Sequence, residues 1–249
     1  MLRPFGRRWP AVVVCDHASN AVPQALGQLG LSQRQLRDHI AWDVGAGALA
    51  EVLAQCLELP LVSAGYSRLV IDCNRRLERA DSITDLSDGH SVPGNRNLTE
   101  AQRRQRIAEV FEPYHGAIDR QLTAARELAS APALIAVHSF TPVMSGRRRP
   151  WHCGILWDKD PRIPVPLLES LRRDPALEVG DNAPYDGRDP TDYTIHAHAA
   201  SRGLPHVCIE VRQDLLQTGA GVAEWAGRLA GPLESILSDT GLYRTLGAT

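Results

Sequence analysis

Apolar residues in this chain come in short dense runs, and polar, helix-periodic stretches separate them. Ala11-Val12-Val13-Val14-Cys15 and Ala133-Leu134-Ile135-Ala136-Val137 have the length and β-branched content of buried strands. Residues 61–64, 68–72, 153–157 and 207–211 read as further strands. Between them, Ser32 is placed to cap a helix that begins Gln33-Arg34-Gln35. Residues 44–57 form an Ala- and Leu-rich helix, and Thr99-Glu100-Ala101-Gln102 opens an amphipathic helix running toward Leu128. A helix follows Pro164 over 165–173, and another closes the chain over 221–237. Residues 81–97 are polar, carry Gly and Pro and have no period, which predicts a long loop of the kind that is often functional. This alternation predicts an α/β fold: a three-layer sandwich around a central, mostly parallel (mixed) sheet, phosphorylase/hydrolase-like, in a single domain over 1–249.

Two of the strands end on histidine. The first delivers Asp16-His17-Ala18-Ser19-Asn20 and the second His138-Ser139. Ligands of open α/β sheets bind outside the carboxyl ends of the strands, and neutral imidazole is the usual nitrogen ligand of zinc. A lone histidine at a strand end is more often a plain hydrogen-bonding residue. Two on one sheet share a geometry that brings metal ligands together. Asp43 follows Ile40-Ala41-Trp42 and precedes a helix, so it reads either as an N-cap or as a third, oxygen ligand. A catalytic zinc takes three protein ligands and keeps one position open.

Glu210 stands between Ile209 and Val211 in a strand that should be buried, where a carboxylate needs a partner. Arg212 is one candidate. A metal centre is another, and beside one Glu210 serves as a general base. Arg68, Arg75 and Arg76 surround an apolar run ending Asp72-Cys73-Asn74. Arginine forks grip carboxylates, and Asn74 adds a donor; surface ion pairs are the ordinary alternative. Tyr193 reads as a hydrogen-bond donor to a substrate or an oxyanion, and His196 and His198 as alternate strand residues would mimic a metal pair.

Composition narrows the classes. With 27 basic and 29 acidic residues the net charge is -2, so no global field draws the chain to nucleic acid or anionic lipid. No stretch approaches the ~20 apolar residues of a membrane span, and Met1 to Pro10 lacks the pattern of a signal peptide. The five scattered cysteines, Cys15, Cys56, Cys73, Cys153 and Cys208, show no C-x-x-C spacing and read as small buried thiols of a reducing cytoplasm. A soluble cytoplasmic protein with a small-molecule ligand is the expectation; oligomeric state is not legible.

Taken in order, Asp16-His17-Ala18-Ser19-Asn20, Ala41-Trp42-Asp43, Tyr66-Ser67-Arg68-Leu69-Val70-Ile71-Asp72-Cys73-Asn74-Arg75, His138-Ser139-Phe140-Thr141-Pro142 and Glu210-Val211-Arg212-Gln213-Asp214-Leu215 resemble the motifs of the N-formylglutamate amidohydrolase family. The resemblance spans about 12–237 and rests on the joint pattern. It implies a mixed sheet sandwiched by helices, kinship with the zinc carboxypeptidases and the aminoacylase/succinylglutamate-desuccinylase enzymes, and a Zn2+-dependent (or other divalent-metal) amide hydrolase. The implied substrate is an N-acylated acidic amino acid of the N-formyl-L-glutamate type. It implies His17 and His138 as ligands, Glu210 as general base, Arg68, Asn74 and Arg75 as the holders of the substrate's α-carboxylate, and Tyr193 and His198 as late-loop catalytic residues. Ser139, next to His138, joins the substrate-binding set. Where the carboxypeptidase-like motif is His-x-x-Glu, this chain has Asn20 in the fourth place, and the third ligand passes to Asp43 or Asp16.

Overall fold

A computed structural model describes residues 1–189 and 192–246 of the chain. Its strands are β1 (Leu2–Pro4), β2 (Ala11–Cys15), β3 (Pro60–Ser63), β4 (Leu86–Ser87), β5 (His90–Ser91), β6 (Ala133–Phe140), β7 (Val143–Met144), β8 (Arg147–Arg148), β9 (Cys153–Leu156), β10 (Val179–Asp181) and β11 (His206–Arg212). Seven of them form one sheet in the order β1-β3-β2-β6-β11-β9-β10, while β4-β5 and β7-β8 are small hairpins. β3, β2, β6 and β11 run parallel to one another, β9 and β10 are parallel, and the β1–β3 and β11–β9 pairings are antiparallel. The mostly parallel mixed sheet expected from the alternation is therefore present, covered on both faces.

The α-helices are α1 (Gln33–Leu36), α2 (Ala46–Cys56), α3 (Glu100–Arg106), α4 (Glu112–Ala125), α5 (Pro164–Leu171), α6 (Thr194–His198) and α7 (Gly219–Leu237). Strand periodicity divides the core between them. Val13, Cys15, Ile135, Val137, Val207, Ile209 and Val211 face one side, where α2, α5 and α7 lay Leu49, Leu53, Leu167, Trp225 and Leu229 against the sheet. Val12, Val14, Leu134, Ala136 and Cys208 face the other, against Phe111, Tyr114, Ile118 and Leu122 around α4 and the 69–73 turn. Truncating a fully buried leucine such as Leu53 to alanine costs ~2–5 kcal/mol, so each layer is needed. This parity decides the site: His138 and Glu210 fall on the α4 side.

Several elements differ from the sequence reading. Residues 68–72 form a turn and no strand, although Leu69, Val70 and Ile71 are buried. Side chains supply the missing ladder: the Leu69 carbonyl accepts from Asn95 Nδ2 at 2.8 Å and the Val70 carbonyl from Arg106 Nη1 at 2.9 Å. The 81–97 segment holds 3-10 turns and the β4-β5 hairpin. The long helix expected from Thr99 passes through a π-helical stretch at Ile107–Phe111 between α3 and α4. Ser32 does form a capping box with Gln35, but over a helix of four residues. His196 and His198 lie on α6, so they are not alternate strand residues.

Two glycines let the 182–184 turn lie directly on the sheet. A Cβ at Gly154 or Gly180 would stand 2.0 or 2.3 Å from the Ala183 carbonyl oxygen. That close approach sets Tyr185 beside the strand ends.

Candidate metal centre and active site

Because β2, β6 and β11 are parallel neighbours, their carboxyl ends open at one edge of the sheet. Glu210 and His138 are direct register partners on adjacent strands, and His17 lies just past the end of β2. The His17 and His138 rings sit 5.1 Å apart, edge to face. Both turn Nδ1 toward one oxygen: Asp43 Oδ2 is 2.8 Å from His138 Nδ1 and 3.3 Å from His17 Nδ1. Asp43 does not cap α2, whose N-cap is Gly45; its backbone N–H donates to the His17 carbonyl, tying the start of that segment to the β2 end. A donor atom from each of His17, Asp43 and His138 falls within 4.8 Å of the other two, and all three residues are buried. This donor set fits a divalent ion of the zinc class.

Each ring is held from behind by a carboxylate. His17 Nε2 meets Asp72 Oδ1 at 2.7 Å, and His138 Nε2 meets Asp16 Oδ2 at 3.0 Å. Such carboxylate–histidine pairs fix the ring orientation of metal ligands. Asp16 is thereby placed behind His138, and its Oδ1 accepts from the Tyr114 and Thr194 hydroxyls at 2.9 and 2.5 Å. Of the two carboxylates left open for the third ligand, Asp43 is the one that converges with both rings. Asn20 is turned away and donates to the Leu36 carbonyl.

The carboxylates of this cluster pull the two imidazoles toward their charged form. Burial opposes a charge on His17, as does Arg68, yet Asp72 and Asp43 outweigh both and raise its pKa. Burial likewise disfavours charge on His138, but Asp16 and Asp43 hold its pKa well above the ordinary value. Against the cost of burial, the His138 hydrogen bond and charge lower Asp16 to about 2, and the histidines hold Asp43 far below the usual carboxylate range. The same carboxylates that favour protons on the two imidazoles would favour a divalent cation in their place.

Glu210 is buried with its Oε2 lacking a hydrogen-bond partner among the described residues. Burial pushes its carboxyl up to about 8, with His138 pulling the other way. Arg212 is not its partner: that guanidinium binds Asp214 and the Pro150 and Trp151 carbonyls. Glu210 instead lines a cavity of about 290 Å³ together with His17, Asp43, His138, Ser139, Arg68, Asn74 and Arg75. Arg68 bridges Asp72 Oδ2 at 2.9 Å and Asp43 Oδ1 at 3.4 Å. Arg75 Nη1 donates to Asp192 Oδ1 at 2.8 Å. Asn74 gives its amide to Asp192 and accepts from the Tyr193 and Thr194 backbone at the start of α6. Ser139 Oγ donates to the Val44 carbonyl.

Two predicted site residues are not brought to this cavity. The Tyr193 ring packs on Phe111 and His115, and His198 Nε2 shares a hydrogen bond with His115 Nδ1 at 2.8 Å while its Nδ1 meets Asp119 Oδ1 at 3.1 Å. Both sit behind the 72–75 turn, where His115 Nε2 donates to the Cys73 carbonyl. Tyr193 just before α6 and His198 within it point into that layer and away from the His17–Asp43–His138 cluster. Conversely, the sequence reading passed over Asp72, Asp192 and Tyr185. Asp72 follows Val70 and Ile71 in an apolar run, the same signal that singled out Glu210; nothing local marks the other two.

The family model for N-formylglutamate amidohydrolase matches residues 9–217. The chain belongs to the N-formylglutamate amidohydrolase family. Amide hydrolysis is the activity that membership supports. Among solved structures, the gene product Atu2144 from Agrobacterium tumefaciens is 36% identical, with 97% of this chain and 95% of that chain covered at a TM-score of 0.90. An N-formylglutamate amidohydrolase from Ralstonia eutropha JMP134 is 20% identical over 95% of this chain and 96% of its own, with a TM-score of 0.69, and shares the fold. A search of curated proteins finds no match. Among the described residues no helix is long and apolar enough to cross a membrane.

Proposed function

We propose that this member of the family is a metal-dependent hydrolase of the amide bond of N-acyl amino acids, with His17, His138 and Asp43 as the ligands of a zinc-class ion. The observation that carries the reading is the convergence of three buried donors beside a buried carboxylate oxygen that no described residue satisfies. When bound, the ion supplies Lewis-acid polarisation of the scissile carbonyl and of the attacking water. Glu210 takes the proton of that water and delivers it to the leaving nitrogen. Asp72 and Asp16 keep the two imidazoles aimed, and Arg68 offsets the negative charge of Asp72 and Asp43. Arg75 is the anchor for the product's α-carboxylate, which exchanges with Asp192 on binding. N-formyl-L-glutamate, the substrate in the family's name, is the first to assay. The test is metal analysis of the purified protein followed by amine release from a panel of N-acyl amino acids. A protein that holds no ion and releases no amine refutes the proposal.

A further inference from the structure

A second cavity, of about 270 Å³, shares Asn74, His138, Asp189, Asp192 and Cys208 with the first. Along β11, His206, Cys208 and Glu210 recur with the period of two that puts them on one face of the sheet. Glu210 lines the first cavity, Cys208 lines both, and His206 lines the second. At ~3.3 Å per residue this row runs about 13 Å from the general base to His206. Ala136, Leu156 and Ile195 give the second cavity apolar walls.

His206 is 4% exposed, and its Nδ1 donates to the Leu204 carbonyl at 2.8 Å. A carbonyl only accepts, so this bond fixes the proton on Nδ1 and leaves Nε2 with its lone pair for a ligand. The polar group offered at this end of the row is thus an acceptor. Asp16, Asp158, Asp189, Asp192 and His196 also line the cavity, while the Arg188 guanidinium is already held by Asp186. Carboxylates and a lone pair repel an anionic ligand end and welcome a donor.

We propose that this second cavity receives the side chain of the amino acid on the amine side of the scissile bond, and that it selects a long, apolar-stemmed side chain ending in a neutral hydrogen-bond donor, as in tyrosine, read by His206 Nε2. The proposal rests on the amide-hydrolase reading above and adds the side chain to it. The ionised carboxylate of a glutamate side chain has no hydrogen to offer His206 Nε2.

The experiment compares kcat/KM for N-formyl-L-tyrosine, N-formyl-L-phenylalanine and N-formyl-L-glutamate on the metal-loaded protein. A site built to bond a hydroxyl rejects the analogue that lacks it, so tyrosine should exceed phenylalanine by at least ~10-fold. His206→Leu should collapse that ratio toward one, and His206→Gln, which keeps an acceptor oxygen, should retain part of it. A wild-type ratio near one, a preference for glutamate, or a ratio unmoved by His206→Leu overturns the proposal. Trp157 lines the cavity, so binding is also read without turnover. Titrating L-tyrosine should change tryptophan fluorescence saturably, L-phenylalanine less, and Trp157→Phe should remove the tyrosine response. Trp157-dependent tyrosine binding without any hydrolysis sinks the hydrolase reading and sustains this one; hydrolysis without side-chain selectivity does the reverse.

Discussion

Replacing Glu210 by glutamine keeps the side chain's volume and one acceptor while removing its capacity to carry a proton. Two magnitudes follow. General-base catalysis contributes ~10²–10⁴-fold, so kcat of the metal-loaded protein should fall by that factor while the ion stays bound. The second concerns stability. Burial raises the Glu210 carboxyl from its ordinary range to about 8 in the metal-free fold. A group whose folded pKa is raised gives its full stability below the unfolded pKa and loses it as pH climbs through the folded one. The stability cost of an ionised Glu210 is therefore absent near pH 4 and complete above pH 8, with a ceiling on the order of 5 kcal/mol at ~1.4 kcal/mol per unit. Metal-free Glu210→Gln should match the wild type in urea melts at pH 4 and exceed it at pH 9. Activity has the opposite sense: the base works ionised, so kcat/KM of the loaded wild type should rise with pH along a limb that the variant lacks. The bound ion's positive charge moves that limb below pH 8. A metal-loaded Glu210→Gln protein with near wild-type turnover would refute the role assigned to Glu210. Equal apo stability at pH 9 would refute the cost attributed to its burial.

The surrounding carboxylates raise the pKa of both site imidazoles in the metal-free fold, so zinc binding should release protons and tighten as pH rises; calorimetry in buffers of different ionisation enthalpy detects the release, and His17→Ala or His138→Ala should each abolish retention. Arg75→Lys should lower kcat/KM for N-acyl amino acids by ~10-fold or more, because an ammonium cannot reproduce the planar fork that meets a carboxylate; unchanged kinetics would place Arg75 outside the binding site. His198→Phe leaves His115 Nδ1 without its hydrogen-bond partner in a buried layer, so Tm should drop while kcat of the folded fraction stays within ~3-fold; a loss of kcat like that of Glu210→Gln would return His198 to the chemistry.

The chain's hydrophobic pattern by itself determined where the buried strands lie and which face each side chain takes, although β6 runs on past the predicted end at Val137 to Phe140. Those two facts located His17, His138 and Glu210, because period two and a polar residue closing an apolar run are local properties of the backbone. They also misled at 68–72, where burial is real but Asn95 and Arg106 replace the strand ladder from 26 and 36 positions away. The pairing of Asp72 with His17, of Asp16 with His138 and of Asp192 with Arg75 joins residues 55, 122 and 117 positions apart. No local period reports such meetings. They depend on which strands lie adjacent and parallel, and that was decided only when two apolar faces were buried against two sets of helices. The same packing turned α6 so that Tyr193 and His198 face the α4 layer, and it laid His206, Cys208 and Glu210 in one row between two cavities.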